Sequence, residues 1–233
     1  MANFPRYAIY YASPPGSALN SFGAELLGYD AWSSEAMPFP KDVLHRVADW
    51  REVTEDPRKY GFHATLKAPL SLADGQGEAG LLAACTEFAR ETRPIPVIRG
   101  VVSSISGFLA VTPAEASDLL QQLAADCVRA FDLFRAPLTP EDRARRRPDM
   151  LTPRQRDYLD RWGYPYVMEE FRFHMTLTGR LDTARREPIL KMLQERFLTI
   201  GLERLAIDRI ALFRQDDPHS RFHILKDWEL RAA

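Results

Sequence analysis

The chain has 233 residues, of which 45% are hydrophobic, so it can bury the core of one large domain or of two closely packed lobes. Its 31 basic and 32 acidic residues leave a formal net charge of −1. This balance argues against a protein that binds long nucleic acids, because such proteins normally carry a basic excess. No segment has the apolar length of a membrane span or of a signal peptide, so we expect a cytoplasmic protein with no membrane partner. Cys85 and Cys127 lie in helix-like segments and are expected to be buried free thiols.

The first half of the chain alternates predicted strands and helices. β-branched and aromatic runs predict strands, helical spacing of apolar residues predicts helices, and proline or glycine clusters mark their ends. The predicted order is a strand at 6–13, a helix at 17–27, mostly loop at 28–59, a strand at 60–72, a helix at 78–91, strands near 97–104 and 107–112, and a helix at 114–134. In the first strand Tyr10 faces away from Tyr7, Ile9 and Tyr11. One of the three tyrosines could line a cleft, but we favour core packing for all of them.

The second half repeats part of this plan. A strand at 171–181 precedes a helix at 187–197 and two strands near 205–214 and 221–230. The arginine-rich stretch at 135–170 has no counterpart before the strand at 60–72, and we interpret it as an elaboration of the second lobe. The sequence therefore predicts a single domain over 1–233 that consists of two similar lobes.

Two nearly identical tetrads lie in the strands at 60–72 and 171–181. They are His63-Ala64-Thr65-Leu66 and His174-Met175-Thr176-Leu177, and a phenylalanine precedes each of them. Because side chains alternate along a strand, each histidine points to the same face as the threonine two residues later, and the apolar residues point to the other face. Two such strands brought together would supply one imidazole as a base and the other as an acid.

Three interpretations of His63 and His174 are open. Each could be a structural histidine, although a repeated motif in matching strands disfavours that interpretation. The two imidazoles could bind zinc, but no third His or Cys lies near either tetrad at ligand spacing, and His219 and His223 belong to another strand region. We favour paired acid–base catalysis that needs no metal or other cofactor.

Further polar residues share the predicted faces of the two histidines. Strand parity groups His63 with Gly61, Thr65 and Lys67, and His174 with Arg172, Thr176 and Thr178. Threonine hydroxyls can donate hydrogen bonds to phosphate oxygens, and a cation offsets charge that grows in a transition state. Thr65 and Thr176 are therefore predicted to bind phosphate, with Lys67, Arg172 and Thr178 as possible substrate-binding residues. Both cations could equally be ordinary charges at a strand edge.

These tetrads resemble the paired His-x-Thr/Ser-hydrophobic motifs of the 2H phosphoesterases. That superfamily includes RNA 2′,3′-cyclic phosphodiesterases and RNA-ligase-like proteins. The longer strings at 60–69 and 161–166 resemble its branch among bacterial phosphonate-metabolism proteins, and the order of elements agrees over most of the chain. The resemblance implies a bilobal α+β fold of the RNA-ligase-like type. Its two pseudo-twofold-related lobes would each hold an antiparallel sheet and helices, and the tetrad strands would face each other in the cleft between them.

The resemblance also implies metal-independent attack of water on a cyclic phosphate. One neutral histidine would deprotonate water, the other would protonate the departing sugar oxygen, and Thr65 and Thr176 would hold the phosphoryl oxygens. The near symmetry leaves the assignment of the two histidines open. The resemblance to the phosphonate-metabolism branch implies a small ribose cyclic phosphate as the substrate. The alternatives are an RNA-end-processing 2′,3′-cyclic phosphodiesterase or ligase-like enzyme, and a non-catalytic module that binds nucleotides or sugar phosphates.

Two features of the stretch at 135–170 allow both a structural and a functional interpretation. The run Arg143-Ala144-Arg145-Arg146-Arg147, flanked by acidic residues, fits a solvated helix face or a rim that attracts a phosphorylated ligand. The aromatic residues Trp162, Tyr164 and Tyr166 fit packing against a tetrad strand or stacking on a base or sugar.

Overall fold

Seven strands form one antiparallel sheet in the computed structural model, which describes residues 4–233. In chain order the strands are β1 (Arg6–Tyr11), β2 (Tyr29–Asp30), β3 (Glu35–Ala36), β4 (Ala64–Ser71), β5 (Val97–Ile98), β6 (Gly100–Ile105), β7 (Phe108–Pro113), β8 (Met175–Thr176), β9 (Leu205–Ala206), β10 (Arg209–Gln215) and β11 (His223–Glu229). The helices of the described residues are α1 (Ala18–Leu27), α2 (Lys41–Arg46), α3 (Trp50–Val53), α4 (Glu55–Arg58), α5 (Glu78–Arg90), α6 (Asp118–Phe131), α7 (Pro140–Arg145), α8 (Pro153–Trp162) and α9 (Thr183–Thr199). The predicted α+β class is confirmed.

Capping residues account for the ends of the helices nearest the tetrads. The N-cap Ser17 of α1 accepts a hydrogen bond from the backbone N–H of Asn20, and the helix ends at Gly28 in the left-handed conformation. α8 begins with a capping box of Thr152 and Gln155 and ends at Gly163, which is also left-handed. The turn at Gly163 directs the aromatic residues that follow α8 back towards the sheet.

The two tetrad strands are neighbours in the sheet, whose order is β11-β10-β1-β4-β8-β7-β6. The hairpin β6–β7 follows the first tetrad in the chain but pairs with β8, which carries the second. The hairpin β10–β11 follows the second tetrad but pairs with β1, which lies between it and β4. Each half of the chain thus places its hairpin on the side of the sheet that holds the tetrad strand of the other half. The two predicted lobes therefore share one sheet instead of holding separate sheets.

The segments that cross between the halves pair with each other. β5 and β9 each precede an exchanged hairpin, and Val97 lies opposite Ala206 while Ile98 lies opposite Leu205. α5 of the first half packs against β10 and β11, and α9 of the second half packs against β6 and β7. Each of these helices therefore covers the hairpin that comes from the other half of the chain.

The sheet is covered by helices on one face and is partly open on the other. Ile9, Leu66 and Met175 represent the covered face, where they join one large apolar core with α1, α5, α6 and α9. On the other face a smaller cluster forms around Tyr10 and Phe213. The covered face holds most of the apolar surface that drives folding, which leaves the open face available for polar side chains.

Both cysteines belong to the covered core. Cys85 and Cys127 are free and fully buried, as predicted. Burial raises the pKa of Cys85 to about 12 and raises that of Cys127 as well. Both groups therefore stay as thiols at neutral pH.

β8 is much shorter than the predicted range 171–181. After Thr176 the backbone N–H groups of Leu177 and Thr178 both donate to the carbonyl of Leu109, at 2.9 and 3.3 Å. The chain then leaves the sheet, because the N–H of Gly179 donates to Val53 O at 2.7 Å. β4, in contrast, fills most of its predicted range of 60–72.

A β-bulge in β4 turns Lys67 away from the open face. Tyr10 lies opposite Thr65, but Ile9 lies opposite Lys67, so β4 has one extra residue between these positions. Lys67 is 2% exposed, and its Nζ donates to Asp132 Oδ1 at 2.5 Å and to Val128 O at 3.2 Å. The prediction that Lys67 shares a face with His63 is wrong, because alternation of side chains does not continue through a bulge.

The contact between α1 and the first tetrad should be sensitive to one methyl group. A Cβ on Gly23 would lie 2.0 Å from ring atoms of Phe62, the residue before His63. We expect Gly23→Ala to lower the free energy of unfolding by about 1–3 kcal/mol in urea denaturation. The matched control is Gly80→Ala in α5, where the new Cβ would meet Phe134 at an ordinary 3.6 Å; it should be neutral or stabilise by up to about 1 kcal/mol. Equal effects of the two substitutions would contradict this packing.

The ion pair of Lys67 should respond unequally to loss of its two partners. Asp132 pairs with Arg135 Nε at 2.8 Å as well as with Lys67, so it keeps a counter-charge when Lys67 is removed. Loss of Asp132, however, leaves a buried ammonium with no carboxylate. We expect Asp132→Asn to cost about 3–5 kcal/mol of unfolding free energy and Lys67→Met clearly less, as measured by thermal or urea unfolding. A larger cost for Lys67→Met would refute this asymmetry.

Candidate active site

The two tetrads meet at one residue pair. Ala64 of β4 lies directly opposite Met175 of β8 in antiparallel register. Residues on either side of such a pair face each other in reversed order, so each histidine lies beside the threonine of the other tetrad. The pairs are His63 with Thr176 and His174 with Thr65. The four side chains thus form a patch with local twofold symmetry on the open face of the sheet, which we call the tetrad patch.

A backbone carbonyl orients each imidazole. His63 Nδ1 is 2.9 Å from Gly61 O, and His174 Nδ1 is 2.7 Å from Arg172 O. A carbonyl can only accept, so Nδ1 carries the hydrogen in both rings. The nitrogen left for proton transfer is Nε2, and Nε2 of His63 lies 3.4 Å from Thr65 Oγ1.

The carbonyl that holds His63 depends on a glycine. Gly61 has φ of 72°, in the left-handed region, and a Cβ there would lie 2.7 Å from that of Ala31. Both the conformation and the space therefore favour glycine at this position.

His63 lies in an aromatic environment that keeps it neutral. Its ring stacks on Tyr10 with centroids 3.9 Å apart and planes 21° apart, and Tyr60 and Phe213 lie about 6 Å away. Burial lowers the pKa of His63 to about 4, the Gly61 carbonyl partly opposes this shift, and the charge of a protonated His174 lowers the pKa further. His63 is therefore an unprotonated base at neutral pH.

His174 has a related but different environment. Phe108 of β7 lies beside its ring, with centroids 5.5 Å apart. Burial lowers the pKa of His174 from its ordinary value of 6.5, and the Arg172 carbonyl opposes the shift. A bound anion would favour the protonated form of either ring.

A cavity of about 400 Å³ lies beside the tetrad patch. Thr65 and His174 line it, whereas His63 and Thr176 do not. The turn between β6 and β7 contributes Ser106 and Phe108, and the stretch at 135–170 contributes Tyr164 and Tyr166. The elaboration of the second lobe thus forms a wall of the cavity, and its tyrosines face the space where a ligand would lie.

Two arginines make one side of this cavity electropositive. Arg172 and Arg180 both line the cavity and are exposed, and neither forms an ion pair within residues 4–233. Glu170 is the only carboxylate among the lining residues described. The lining therefore favours an anionic ligand.

The structure brings five of the seven predicted site residues together. His63, His174, Thr65 and Thr176 form the tetrad patch, and Arg172 lies at the cavity beside it. Lys67 and Thr178 lie elsewhere. Thr178 is fully buried, where its hydroxyl accepts from Leu109 N at 3.0 Å and donates to Gly179 O at 2.8 Å. The prediction that Thr178 faces the site is wrong, because the chain has already left the strand at this residue.

Sequence reasoning missed three residues near the histidines. Tyr10 could have been singled out, since it is the one tyrosine of the first strand that faces away from Tyr7 and Tyr11. Phe108 reaches His174 only because of the hairpin exchange, and Arg180 follows the end of a strand that the sequence predicts to continue. Neither of these two positions carries a local signal.

Residues 4–233 contain neither a cluster of metal-ligating side chains nor a membrane-spanning helix. Among residues 4–233, no group of three or more His, Cys, Asp or Glu side chains is arranged to hold a metal ion. No helix in the same range has the length and apolar character needed to cross a bilayer.

The chain is similar to two curated bacterial proteins named "Ribose 1,5-bisphosphate phosphokinase PhnN". The one from Janthinobacterium sp. (strain Marseille) is 36% identical over 227 residues, which cover 93% of this chain and 49% of the relative. The one from Laribacter hongkongensis (strain HLHK9) is 36% identical over 229 residues, which cover 98% of this chain and 53% of the relative. The chain thus spans about half the length of the curated relatives it matches.

Solved structures similar to this chain include phosphoesterases. Escherichia coli LigT complexed with 3′-AMP matches with a TM-score of 0.42 and 13% identity, over 97% of this chain and 98% of LigT. A structure titled "Crystal structure of phosphoesterase" matches with a TM-score of 0.44 and 12% identity, over 98% and 99% of the two chains.

The family described as "Protein of unknown function (DUF1045)" matches residues 65–223. The match includes the second tetrad and begins two residues after His63. It extends over well more than half of the chain, and the chain therefore belongs to the DUF1045 family.

Proposed function

We propose that the chain is a cytoplasmic, metal-independent cyclic phosphodiesterase that hydrolyses a small ribose or nucleotide cyclic phosphate. The observation that carries this proposal is the tetrad patch, where the pairing of Ala64 with Met175 sets each histidine beside a threonine of the other strand. Both imidazoles are held through Nδ1, so both have Nε2 free for proton transfer. Two such groups on one face suit a reaction that needs a base and an acid together.

In the proposed reaction, Nε2 of one histidine takes a proton from water as the water oxygen attacks phosphorus. The bond from phosphorus to one ring oxygen breaks, and the protonated histidine donates its Nε2 proton to that oxygen. The product is a phosphomonoester and a free sugar hydroxyl. Thr65 and Thr176 donate hydrogen bonds to non-bridging oxygens, and Arg172 and Arg180 offset the negative charge that grows at phosphorus.

Within this reaction we assign His63 as the base and His174 as the acid. Burial of His63 disfavours its cation, and a charge on His174 disfavours it further. The first proton of the pair therefore resides on His174, which borders the cavity where the leaving group would lie. A bound phosphodiester anion stabilises this proton.

The name of the curated relatives supports a ribose cyclic phosphate as substrate. Water attack on a ribose 1,2-cyclic phosphate that carries a 5-phosphate, with cleavage of the bond to O2, yields ribose 1,5-bisphosphate. That product is the compound named in both relatives. The cavity of about 400 Å³ is also in the usual size range of small-molecule sites. A role in phosphonate metabolism, as the sequence resemblance implies, agrees with this substrate.

Loss of either histidine should abolish most of the activity. We expect His63→Ala and His174→Ala each to lower the turnover rate about 10²–10⁴-fold, in a screen of ribose 1,2-cyclic phosphates and 2′,3′-cyclic nucleotides with excess EDTA. His45→Ala, an exposed histidine of α2, is the matched control and should keep full activity. Wild-type rates in either tetrad variant, or a strict need for added metal, would contradict the proposal. Binding with no turnover of any compound would instead identify a binding module.

The pH dependence should show an acidic optimum. The base must be neutral and the acid protonated. As the pH increases, kcat/KM should therefore rise near pH 4, where His63 loses its proton. It should fall again where His174 loses its proton, at a pH under the ordinary histidine value of 6.5. In the complex the bound anion raises both pKa values, and the optimum of kcat should lie at higher pH. An optimum of kcat/KM above pH 7 in the wild type would refute the assignment.

A further inference from the structure

A second cavity, of about 230 Å³, neighbours the first one. Adjacent residues of β4 line the two spaces, with Ala68 at the first cavity and Pro69 at the second. Tyr60 also lines the second cavity, and its ring centroid is 6.0 Å from that of His63. The second cavity therefore begins within one side-chain length of the tetrad patch.

Arginines supply most of the charge that lines the second cavity. Among its described lining residues, the charged side chains are Arg6, Arg135, Arg145, Arg146 and Asp142. Two of the four arginines have carboxylate partners, because Arg135 pairs with Asp132 and Arg145 pairs with Asp142. The other two are without such partners within residues 4–233.

These two unpaired arginines are held in place by other contacts. The guanidinium of Arg6 donates to the side chain of Gln215 and lies 5.4 Å from the centre of the Phe222 ring. Arg146 lies 5.0 Å from the ring centre of Tyr164, the residue that lines the first cavity. Burial lowers the pKa of Arg6, and the nearby positive charges of Arg145 and Arg146 lower it further. The protein thus keeps like charges close together with no carboxylate to neutralise Arg6 or Arg146.

An arrangement of this kind suits a phosphate group. Guanidinium groups bind phosphate through paired hydrogen bonds, and a dianion would relieve the repulsion among the arginines. The stretch at 135–170, which has no counterpart in the other half of the chain, supplies three of the four arginines. It also supplies Tyr164, which connects the two cavities through its contact with Arg146.

We infer that the second cavity is a subsite for a second phosphate group on the substrate, separate from the cyclic phosphate that reacts at the tetrad patch. This inference rests on the proposed function and makes it more specific. The preferred substrate would be a sugar cyclic phosphate that carries a phosphomonoester at its other end. The sugar would lie between the cavities, near Tyr60 and Tyr164.

The test compares ribose 1,2-cyclic phosphate with the same compound phosphorylated at O5. We expect the wild type to show a kcat/KM about 10- to 100-fold higher for the phosphorylated compound. Arg146→Gln should remove most of this preference and leave the rate with the unphosphorylated compound unchanged. Arg146 is exposed and its loss should not impair folding. The matched control is Arg147→Gln, which removes the same charge from a neighbouring exposed residue outside the cavity lining and should keep the preference.

Two outcomes of this comparison would overturn the subsite. One is equal kcat/KM for the two compounds in the wild type. The other is a loss of kcat/KM in Arg146→Gln that is equal for both compounds, or a loss of the preference that is equal in Arg146→Gln and Arg147→Gln. Either result would show a general effect of charge.

Failure of the proposed function gives a different result. If the wild type hydrolyses neither compound, binding of ribose 5-phosphate and of ribose is measured by calorimetry. Ribose 5-phosphate binding that Arg146→Gln weakens about tenfold or more, and Arg147→Gln does not, would support the subsite without the reaction. No binding, or equal binding of ribose, would overturn it.

Discussion

The antiparallel pairing of Ala64 with Met175 is the constraint on which the whole site depends. Both side chains are fully buried in the core under the helices, so packing fixes the register of the two tetrad strands. A slip of one residue would move the histidines into the core and bring apolar side chains to the open face. The register of the sheet and the relative position of the two imidazoles are therefore one property, maintained by residues that would never touch a substrate.

The electrostatics of the open face separate proton transfer from anion binding. His63 and His174 lie where burial favours the neutral ring, whereas Arg172 and Arg180 lie at the exposed side of the cavity. The reaction needs one neutral histidine as base and one protonated histidine as acid. The arginines that bind the anion make it harder to protonate the acid. A bound anion resolves this conflict because it neutralises the arginines and stabilises the imidazolium at the same time. At neutral pH the site is therefore expected to reach its active protonation state only with ligand present.

Much of this arrangement could be predicted from the sequence, because local rules govern it. Two-residue alternation correctly grouped each histidine with the threonine that follows it, and helical spacing correctly placed both cysteines in the core. Two-residue alternation fails at Lys67, because a bulge interrupts it, and at Thr178, because the strand ends earlier than its composition indicates. Phe108 could not be assigned, since its contact with His174 depends on which hairpin pairs with which tetrad, and no local pattern records that choice.

The exchange of hairpins also determines when the site can form during folding. β1 carries Tyr10, which stacks on His63, and β1 pairs with β10. This strand pairing joins residues about 200 positions apart along the chain. Pairings of such long range are costly in chain entropy and are made late. During synthesis the first tetrad must therefore wait, with one flank of its sheet unpaired, until residues 209–215 have emerged from the ribosome. An unpaired flank is prone to aggregation, which makes the nascent chain, more than the finished protein, the stage most in need of protection.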